Sequence, residues 1–168
     1  MIDALRDTCK KLLEEVTVDV IVGYGRTVPG GPVHAVFITD AEDVSRLVWD
    51  KHCLPNLTVY LTRPEVRALG RPGIILKGCD ARSLLVLQQE GQIDRTEMRA
   101  IGVACDGVDG AITGKCAWCD VHIPQNVNEV VGTTDAGVAD DGARYREVRV
   151  FMAKPLEERL AFWKDEFA

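Results

Sequence analysis

The pattern of apolar and polar positions predicts a helix near each end of the chain and another in its middle. In residues 2–15 apolar side chains recur at the spacing of one helical face, with lysines and glutamates opposite. Residues 81–90 carry three leucines and end before Gly91, which predicts a second helix. From about Pro155 to the end, Glu residues come early and apolar positions share one face, which predicts a third.

Four runs rich in apolar and β-branched residues predict strands, at residues 18–22, 34–39, 73–77 and 99–104. Asp40 follows the second run and is a suitable N-cap for a further helix. The short apolar run 57–61 could be a strand or a helix, and its periodicity does not distinguish the two. Strand, helix and strand over residues 73–104 form a βαβ unit. The predicted fold is therefore α/β, with a mostly parallel or mixed sheet and flanking helices.

These elements predict three parts along the chain. Residues 1–132 form an α/β domain that carries the candidate iron–sulfur site. Residues 133–150 begin with a stretch rich in Gly, Asp, Thr and Ala, which is typical of a loop or linker followed by a short return segment. Residues 151–168 contain the C-terminal helix. Its apolar face is a candidate docking element, with packing back on the sheet as the alternative; that face carries Leu156, Leu160 and Trp163.

Composition narrows the class of protein. The 168 residues are 46% hydrophobic and 27% charged, which is ordinary for a globular domain. The net charge of −6 and the lack of a basic stripe make nucleic acid an unsuitable partner. No apolar stretch reaches the ~18 residues of a membrane span, and the acidic N-terminus does not have the pattern of a signal peptide. We expect a cytoplasmic protein without a transmembrane segment.

Six cysteines in such a chain indicate metal or redox chemistry before disulfides. Cys116 and Cys119 form a C-x-x-C pair within residues 114–120, while Cys79 and Cys105 each follow a predicted strand. Carboxyl ends of parallel strands meet at one edge of a sheet, so we expect the four thiols to converge there. Four thiolates are the ligand set of an iron–sulfur cluster or of a structural zinc.

The distribution of these cysteines favours a cluster over zinc. Structural zinc sites typically combine two C-x-x-C pairs, whereas two of the four cysteines here stand alone. A thioredoxin-like redox pair would need its first cysteine at the start of a helix, and Pro124 disfavours that. Lys77 and Lys115 are expected to tune the cluster by their charge.

The other candidate residues carry weaker signals. Cys9 lies on the apolar face of the first helix and is expected to pack in the core. Cys53, in a turn, is also expected to pack, with a second cofactor as the alternative. The three histidines, His34, His52 and His122, are expected to be polar surface, with metal ligation or proton transfer as the alternative.

A glycine-containing segment at the end of the first predicted strand is a weak candidate for flavin or phosphate binding. Glycines would allow close approach, an aromatic ring could stack and an arginine would supply charge; the segment is Gly23, Tyr24, Gly25 and Arg26. The alternative is a flexible turn. Phosphate-loop, zinc-protease and nucleophile-elbow motifs are missing from the sequence, so a hydrolase is not supported.

Four segments together resemble the beta subunit family of deazaflavin-coenzyme hydrogenases and dehydrogenases, namely residues 77–83, 88–93, 101–107 and 115–120. Within it they are most similar to iron–sulfur electron-transfer subunits that accompany heterodisulfide-reductase-like proteins in anaerobes. The resemblance extends over roughly residues 16–132. Similar proteins often continue past a segment like 162–167 into a ferredoxin domain with further iron–sulfur clusters. The resemblance therefore implies one of two cases: the chain is a short member of the family, or a partner subunit supplies those clusters.

The resemblance implies a [4Fe-4S] cluster bound by Cys79, Cys105, Cys116 and Cys119, and electron relay within a hetero-oligomeric redox complex. We therefore expect an electron-transfer subunit of an anaerobic oxidoreductase rather than a stand-alone enzyme. A first alternative is an FAD-dependent subunit that oxidises or reduces a deazaflavin or ferredoxin. A second is a zinc-stabilised, non-catalytic scaffold. Each of the first two functions needs further redox subunits as partners.

Overall fold

A computed structural model describes residues 1–108, 116, 119–134 and 146–167 of the chain. It divides into two compact units, Met1–Gly137 and Val138–Ala168. In the described residues no helix is both long and apolar enough to cross a bilayer.

Strands in the first unit form one mixed sheet. They are β1 (Val20–Gly25), β2 (His34–Ile38), β3 (Pro72–Leu76), β4 (Arg99–Val103) and β5 (Glu129–Val131). Their order across the sheet is β2-β1-β3-β4-β5. β2 runs antiparallel to β1, and the other three neighbouring pairs are parallel. The predicted α/β fold with a mixed, largely parallel sheet and flanking helices is confirmed.

Helices of the first unit are α1 (Ile2–Glu14), α2 (Pro64–Arg67) and α3 (Gly78–Gln89), with 3₁₀ helices at Ala41–Arg46, Leu57–Tyr60 and Arg95–Glu97. Asp40 caps the first 3₁₀ helix by accepting the Glu42 N–H at 2.9 Å, as its position in the sequence predicts. Asn56 caps the second by accepting the Thr58 N–H. The undecided run after Asn56 is therefore a capped 3₁₀ turn.

The core lies between the sheet and these helices. Every residue of β1 is buried, as are four of the five residues of β3 and of β4. The apolar stripe of α1 is buried as the helical pattern predicts, at Leu5, Cys9 and Leu12. Leu47 fills the space that a side chain at Gly23 would need, because a Cβ there would lie 2.4 Å from Leu47 Cδ2.

The βαβ unit formed by β3, α3 and β4 positions the candidate site. The sequence predicts a helix from residue 81, but α3 begins at Gly78. The earlier start has a physical reason: the Asp80 carboxylate accepts the backbone N–H of Lys77 at 3.2 Å and so stabilises the first turn. Cys79 consequently lies inside that turn, at the positive end of the helix.

The second unit contains α4 (Arg146–Met152) and α5 (Leu156–Glu166). α4 begins within the range predicted as linker and return segment, while residues 135–145 lie outside the described part. The rings of Phe151, Phe162 and Trp163 contact one another edge to face, with centroids 5.0–5.7 Å apart. The predicted apolar face of the last helix stays about half exposed, at 61%, 49% and 47% for Leu156, Leu160 and Trp163.

Candidate metal centre

The four candidate ligand cysteines follow the carboxyl ends of two neighbouring strands. Cys79 comes three residues after β3, and Cys105 comes two residues after β4. Cys116 and Cys119 share a tight turn in which the Cys119 N–H donates to the Cys116 carbonyl at 3.3 Å. Lys115, the second predicted tuning residue, lies outside the described residues.

The thiols are near enough to affect one another electrostatically. The pKa of Cys79 responds to Cys105 and Cys119, and the pKa of Cys105 responds to Cys116 and Cys119. The geometric basis is the parallel pairing of β3 with β4, which ends with Leu76 opposite Gly102, so that the segments carrying Cys79 and Cys105 leave adjacent strand ends.

Burial raises the pKa of Cys79 to about 11; the Asp80 carboxylate adds to this rise and the Lys77 cation opposes it. Burial also raises the pKa of Cys105, against the effect of a backbone N–H from Gly107 and of Lys77. The free thiols at these two positions are therefore protonated near neutral pH. A metal that binds them displaces those protons.

Two backbone amides point at the sulfurs. The Val108 N–H donates to Cys116 Sγ at 3.4 Å, and the Gly107 N–H donates to the Cys105 thiol. Gly107 has φ +111°, a conformation that suits glycine, and this turns the chain so that both amides face thiols. Hydrogen bonds of this kind stabilise negative charge on cluster sulfur.

Contacts between α3 and the segment after Cys119 hold two of the cysteine-bearing segments together. The first turn of α3 touches the segment at Gly78, where a Cβ would lie 2.0 Å from the Val121 carbonyl oxygen. One helical turn further on, Arg82 forms an ion pair with Asp120 at 2.9 Å. The same segment contacts Cys105, because the Cys105 N–H donates to the His122 carbonyl at 2.9 Å.

A buried polar network lies beside Cys79. The Lys77 and Asp80 side chains are each only 3% exposed, and their Nζ and Oδ2 atoms are 2.9 Å apart. Lys77 also donates to the Pro55 carbonyl at 3.0 Å and to the hydroxyl of Tyr24. That hydroxyl in turn donates to Asp80 Oδ2 at 3.0 Å. Lys77 was expected at this site; Asp80 was missed, because the sequence gives no sign of its partner 56 positions away.

Tyr24 and its glycine neighbours do not form a loop. Gly23, Tyr24 and Gly25 lie inside β1, and Tyr24 is fully buried. Arg26 donates to the Gly31 carbonyl at 2.8 Å and to Asp50 Oδ2 at 2.7 Å. The flexible-turn alternative is therefore wrong for the strand residues, and flavin binding here stays a prediction without support from these contacts.

The two remaining cysteines pack in the core, as expected. Cys9 is fully buried, and burial followed by the Glu129 charge raises its pKa to about 12. Cys53 is also fully buried; its sulfur accepts the Asp50 N–H at 3.3 Å. Its packing does not require a second cofactor. His122 is half-buried, and its ring Nδ1 lies 2.8 Å from the Cys105 carbonyl oxygen, a contact that the sequence did not predict.

The described residues contain no group of three or more His, Cys, Asp or Glu side chains placed to hold one metal ion. Tetrahedral zinc with Zn–S bonds of about 2.3 Å would bring its sulfurs to within roughly 4 Å of one another. A cubane spreads its thiolates more widely, because each binds a different iron. Whether these four thiols bind a cluster or a single ion is thus a question for the proposal below.

An open cavity of about 890 Å³ lies at the opposite edge of the sheet, beside the start of β3. Three arginines and three carboxylates are among its lining residues, so it has no net preference for one sign of charge. It is separate from the thiols, which gather beyond the strands' carboxyl ends.

No known family model matches the chain, and no curated protein does either. The resemblance to deazaflavin-coenzyme beta subunits thus depends on the segments in which it was recognised, and the functional argument depends on the site.

Proposed function

We propose that this chain is an iron–sulfur electron-transfer subunit, which relays electrons through one [4Fe-4S] cluster bound by Cys79, Cys105, Cys116 and Cys119. The observation that carries the proposal is that Cys79 and Cys105 leave the carboxyl ends of two paired parallel strands, while the segment after Cys119 lies directly against the first turn of α3. Backbone N–H groups directed at two of the sulfurs support it.

The charge distribution suits such a cluster. Four thiolates around a cubane give the site a net negative charge, which needs compensation in a partly buried environment. The buried Lys77 cation and the positive end of α3 supply it from one side. The amides of Gly107 and Val108 supply hydrogen bonds from another. These groups favour thiolate over thiol once metal is bound.

Electron relay makes modest demands on the rest of the chain. A cluster that accepts and passes on single electrons supplies the redox chemistry itself, so no acid, base or nucleophile is required beside it. The protein's part is to hold the thiolates, exclude water and set the potential through charge and hydrogen bonds. Donor and acceptor are proposed to be other subunits of an anaerobic oxidoreductase complex, and the apolar face of α5 is a candidate contact for one of them.

The test is metal analysis of the full chain purified and reconstituted under anaerobic conditions. We expect about four irons and about four acid-labile sulfides per chain, with broad absorption near ~400 nm that bleaches on reduction. Offering iron with sulfide and zinc in parallel separates the two metal hypotheses. A colourless chain that takes up zinc and never iron would overturn the proposal in favour of a zinc scaffold.

A further inference from the structure

The network of Tyr24, Lys77 and Asp80 is hard to explain by stability alone. All three side chains are essentially excluded from solvent. Burying an ion pair costs several kcal/mol in desolvation, and apolar residues of similar size are often as stable or more stable in its place. An internal cation and anion beside a redox site are therefore candidates for a functional role.

The network acts on the thiols with two opposite charges. Lys77 precedes Cys79 by two residues and Asp80 follows it directly, with the Lys77 Nζ and Asp80 Oδ2 atoms 2.9 Å apart. Asp80 Oδ1 lies only 3.7 Å from Cys79 Sγ. The net field at the site thus depends on how well the Asp80 charge is compensated by its partners.

Tyr24 contributes to that compensation from β1. The Lys77 ammonium lies 4.5 Å from the centroid of the Tyr24 ring and donates to its hydroxyl. The same hydroxyl lies 3.0 Å from Asp80 Oδ2 and 3.0 Å from the Pro55 carbonyl oxygen. Because β1 is buried along its whole length, the ring is a rigid support for both charges.

We propose that Tyr24 is a positioning residue that holds the Lys77 cation and the Asp80 carboxylate together beside Cys79, and so sets the reduction potential of the metal centre. This rests on the proposed function, because it concerns a bound cluster. Reduction adds one negative charge to the cluster. A fixed cation nearby stabilises the reduced state, and a fixed anion destabilises it, more strongly in a buried site than in water.

Removing the Tyr24 hydroxyl takes one acceptor from Lys77 and one donor from Asp80. The Asp80 carboxylate, which already lies 2.9 Å from the Lys77 ammonium, then loses the part of its compensation that the hydroxyl supplied. This makes the field at the cluster more negative. The potential of the Tyr24→Phe chain is therefore lower than that of the wild type, although the ring and its packing are kept.

The experiment is a redox titration of the full, cluster-loaded chain, followed by EPR and visible absorption, with iron content measured in every variant. Tyr24→Phe and Lys77→Met should lower the potential, and Asp80→Asn should raise it. We expect Tyr24→Phe to reduce the equilibrium constant for reduction about tenfold, which corresponds to about 59 mV for one electron. Lys77→Arg keeps the charge, so its potential should stay close to that of the wild type and should not show most of the decrease seen in Lys77→Met.

Tyr60→Phe is the matched control. Tyr60 packs edge to face on Phe37, with ring centroids 5.5 Å apart. Within the described part of the chain no hydrogen bond, ion pair or ring contact joins its side chain to Tyr24, Lys77 or Asp80, so Tyr60→Phe should leave the potential unchanged. Two outcomes would overturn this inference while leaving the proposed function intact. One is an iron-loaded Tyr24→Phe chain with the wild-type potential, and the other is a shift of the potential in the same direction in Asp80→Asn and Lys77→Met. A wild-type chain that binds no iron would instead overturn the proposed function. If Lys77→Met fails to load, the Tyr24→Phe and Asp80→Asn pair still decides the question by its opposite signs.

Discussion

Gly78 lies against Val121 so closely that the backbone of α3 and that of the segment after Cys119 are in direct contact. A Cβ at residue 78 would stand 2.0 Å from the Val121 carbonyl oxygen. Backbone atoms cannot yield as the end of a flexible side chain can. Only glycine therefore allows the first turn of α3 and this segment to approach as they do.

Gly78→Ala should accordingly separate the two segments. We expect a loss of about 1–3 kcal/mol in the free energy of unfolding, the usual cost of forcing extra volume into a packed site. Iron binding should weaken as well, because Cys79 and Cys119 move apart. Urea unfolding and iron titration of the variant measure the two effects.

Val86→Ala on the exposed side of α3 is the control for helix propensity. Val86 is 48% exposed, and alanine favours helix more than valine does, so stability should stay level or rise slightly. A Gly78→Ala chain as stable and as iron-loaded as this control would contradict the close contact.

Cys79→Ala should abolish the cluster as completely as Cys116→Ala does, because a cubane bound by three thiolates has lost one iron's protein ligand. Iron and sulfide per chain should fall from about four to near zero in both variants. Absorption near ~400 nm on reconstitution gives the same measure.

Cys9→Ala is the matched control, since it removes a thiol that is fully buried on α1. It should keep the cluster and lose only stability, by an amount on the order of 1 kcal/mol for a small core deletion. A Cys79→Ala chain with an intact cluster would show that the four-ligand assignment is wrong.

The ion pair between Arg26 and Asp50 predicts a pH dependence. Burial would raise the pKa of Asp50, but the His52 N–H and the Arg26 guanidinium outweigh it and hold the pKa below its usual range. A carboxyl with a lowered folded-state pKa stabilises the fold above its ordinary pKa of about 3.9, and loses that effect as pH falls further. Asp50→Asn should thus cost up to about 1 kcal/mol near neutral pH, since the pair is partly exposed.

Below pH about 4 the stabilities of the wild type and Asp50→Asn should converge, which urea titrations across the acid range can follow. Asp43→Asn is a suitable comparison: its pair with Arg46 is more than half exposed on both sides and should contribute little. A difference for Asp50→Asn that does not change with pH would exclude the electrostatic explanation.

The aromatic contacts of the second unit predict that Phe151 stabilises its helices. The Phe151 ring contacts both Phe162 and Trp163, and each such pair contributes about 0.5–1.5 kcal/mol. Phe151→Ala should therefore speed hydrogen exchange of the amides of α4 and α5. Phe167→Ala removes a ring that is 82% exposed and stacks only on Trp163 among the described rings, so it should have a smaller effect. Equal effects would contradict the packing.

Much of the sheet follows from the sequence, because β1, β3 and β4 are continuous apolar runs that few other structures suit. β5 was not predicted. It has three residues and joins the sheet only by pairing with β4, at Ile101 with Glu129 through Val103 with Val131. So short a segment has no period of its own, and its partner strand decides its conformation.

The position of the candidate site could be predicted from the sequence, but the partners of its buried polar side chains could not. Strand ends at Cys79 and Cys105 followed from apolar runs and parallel topology. The partnership of Tyr24 with Asp80 did not, since buried polar side chains pair across the fold by geometry that no local pattern records. The same limit explains Gly23 and Gly25: a glycine in a strand and a glycine in a ligand-binding loop look alike until their neighbours are known.

The chain leaves β4 at Val103 and returns at Glu129 to lie beside the same strand, with Cys105, Cys116 and Cys119 on the way. β5 alone contributes few ladder hydrogen bonds to keep that return in place. If the proposed cluster binds those cysteines, its loss would loosen the connection and leave β4 as an open sheet edge with unpaired backbone groups. Demetallation would then expose a template for self-association, and oxygen damage to such a protein would be seen first as aggregation.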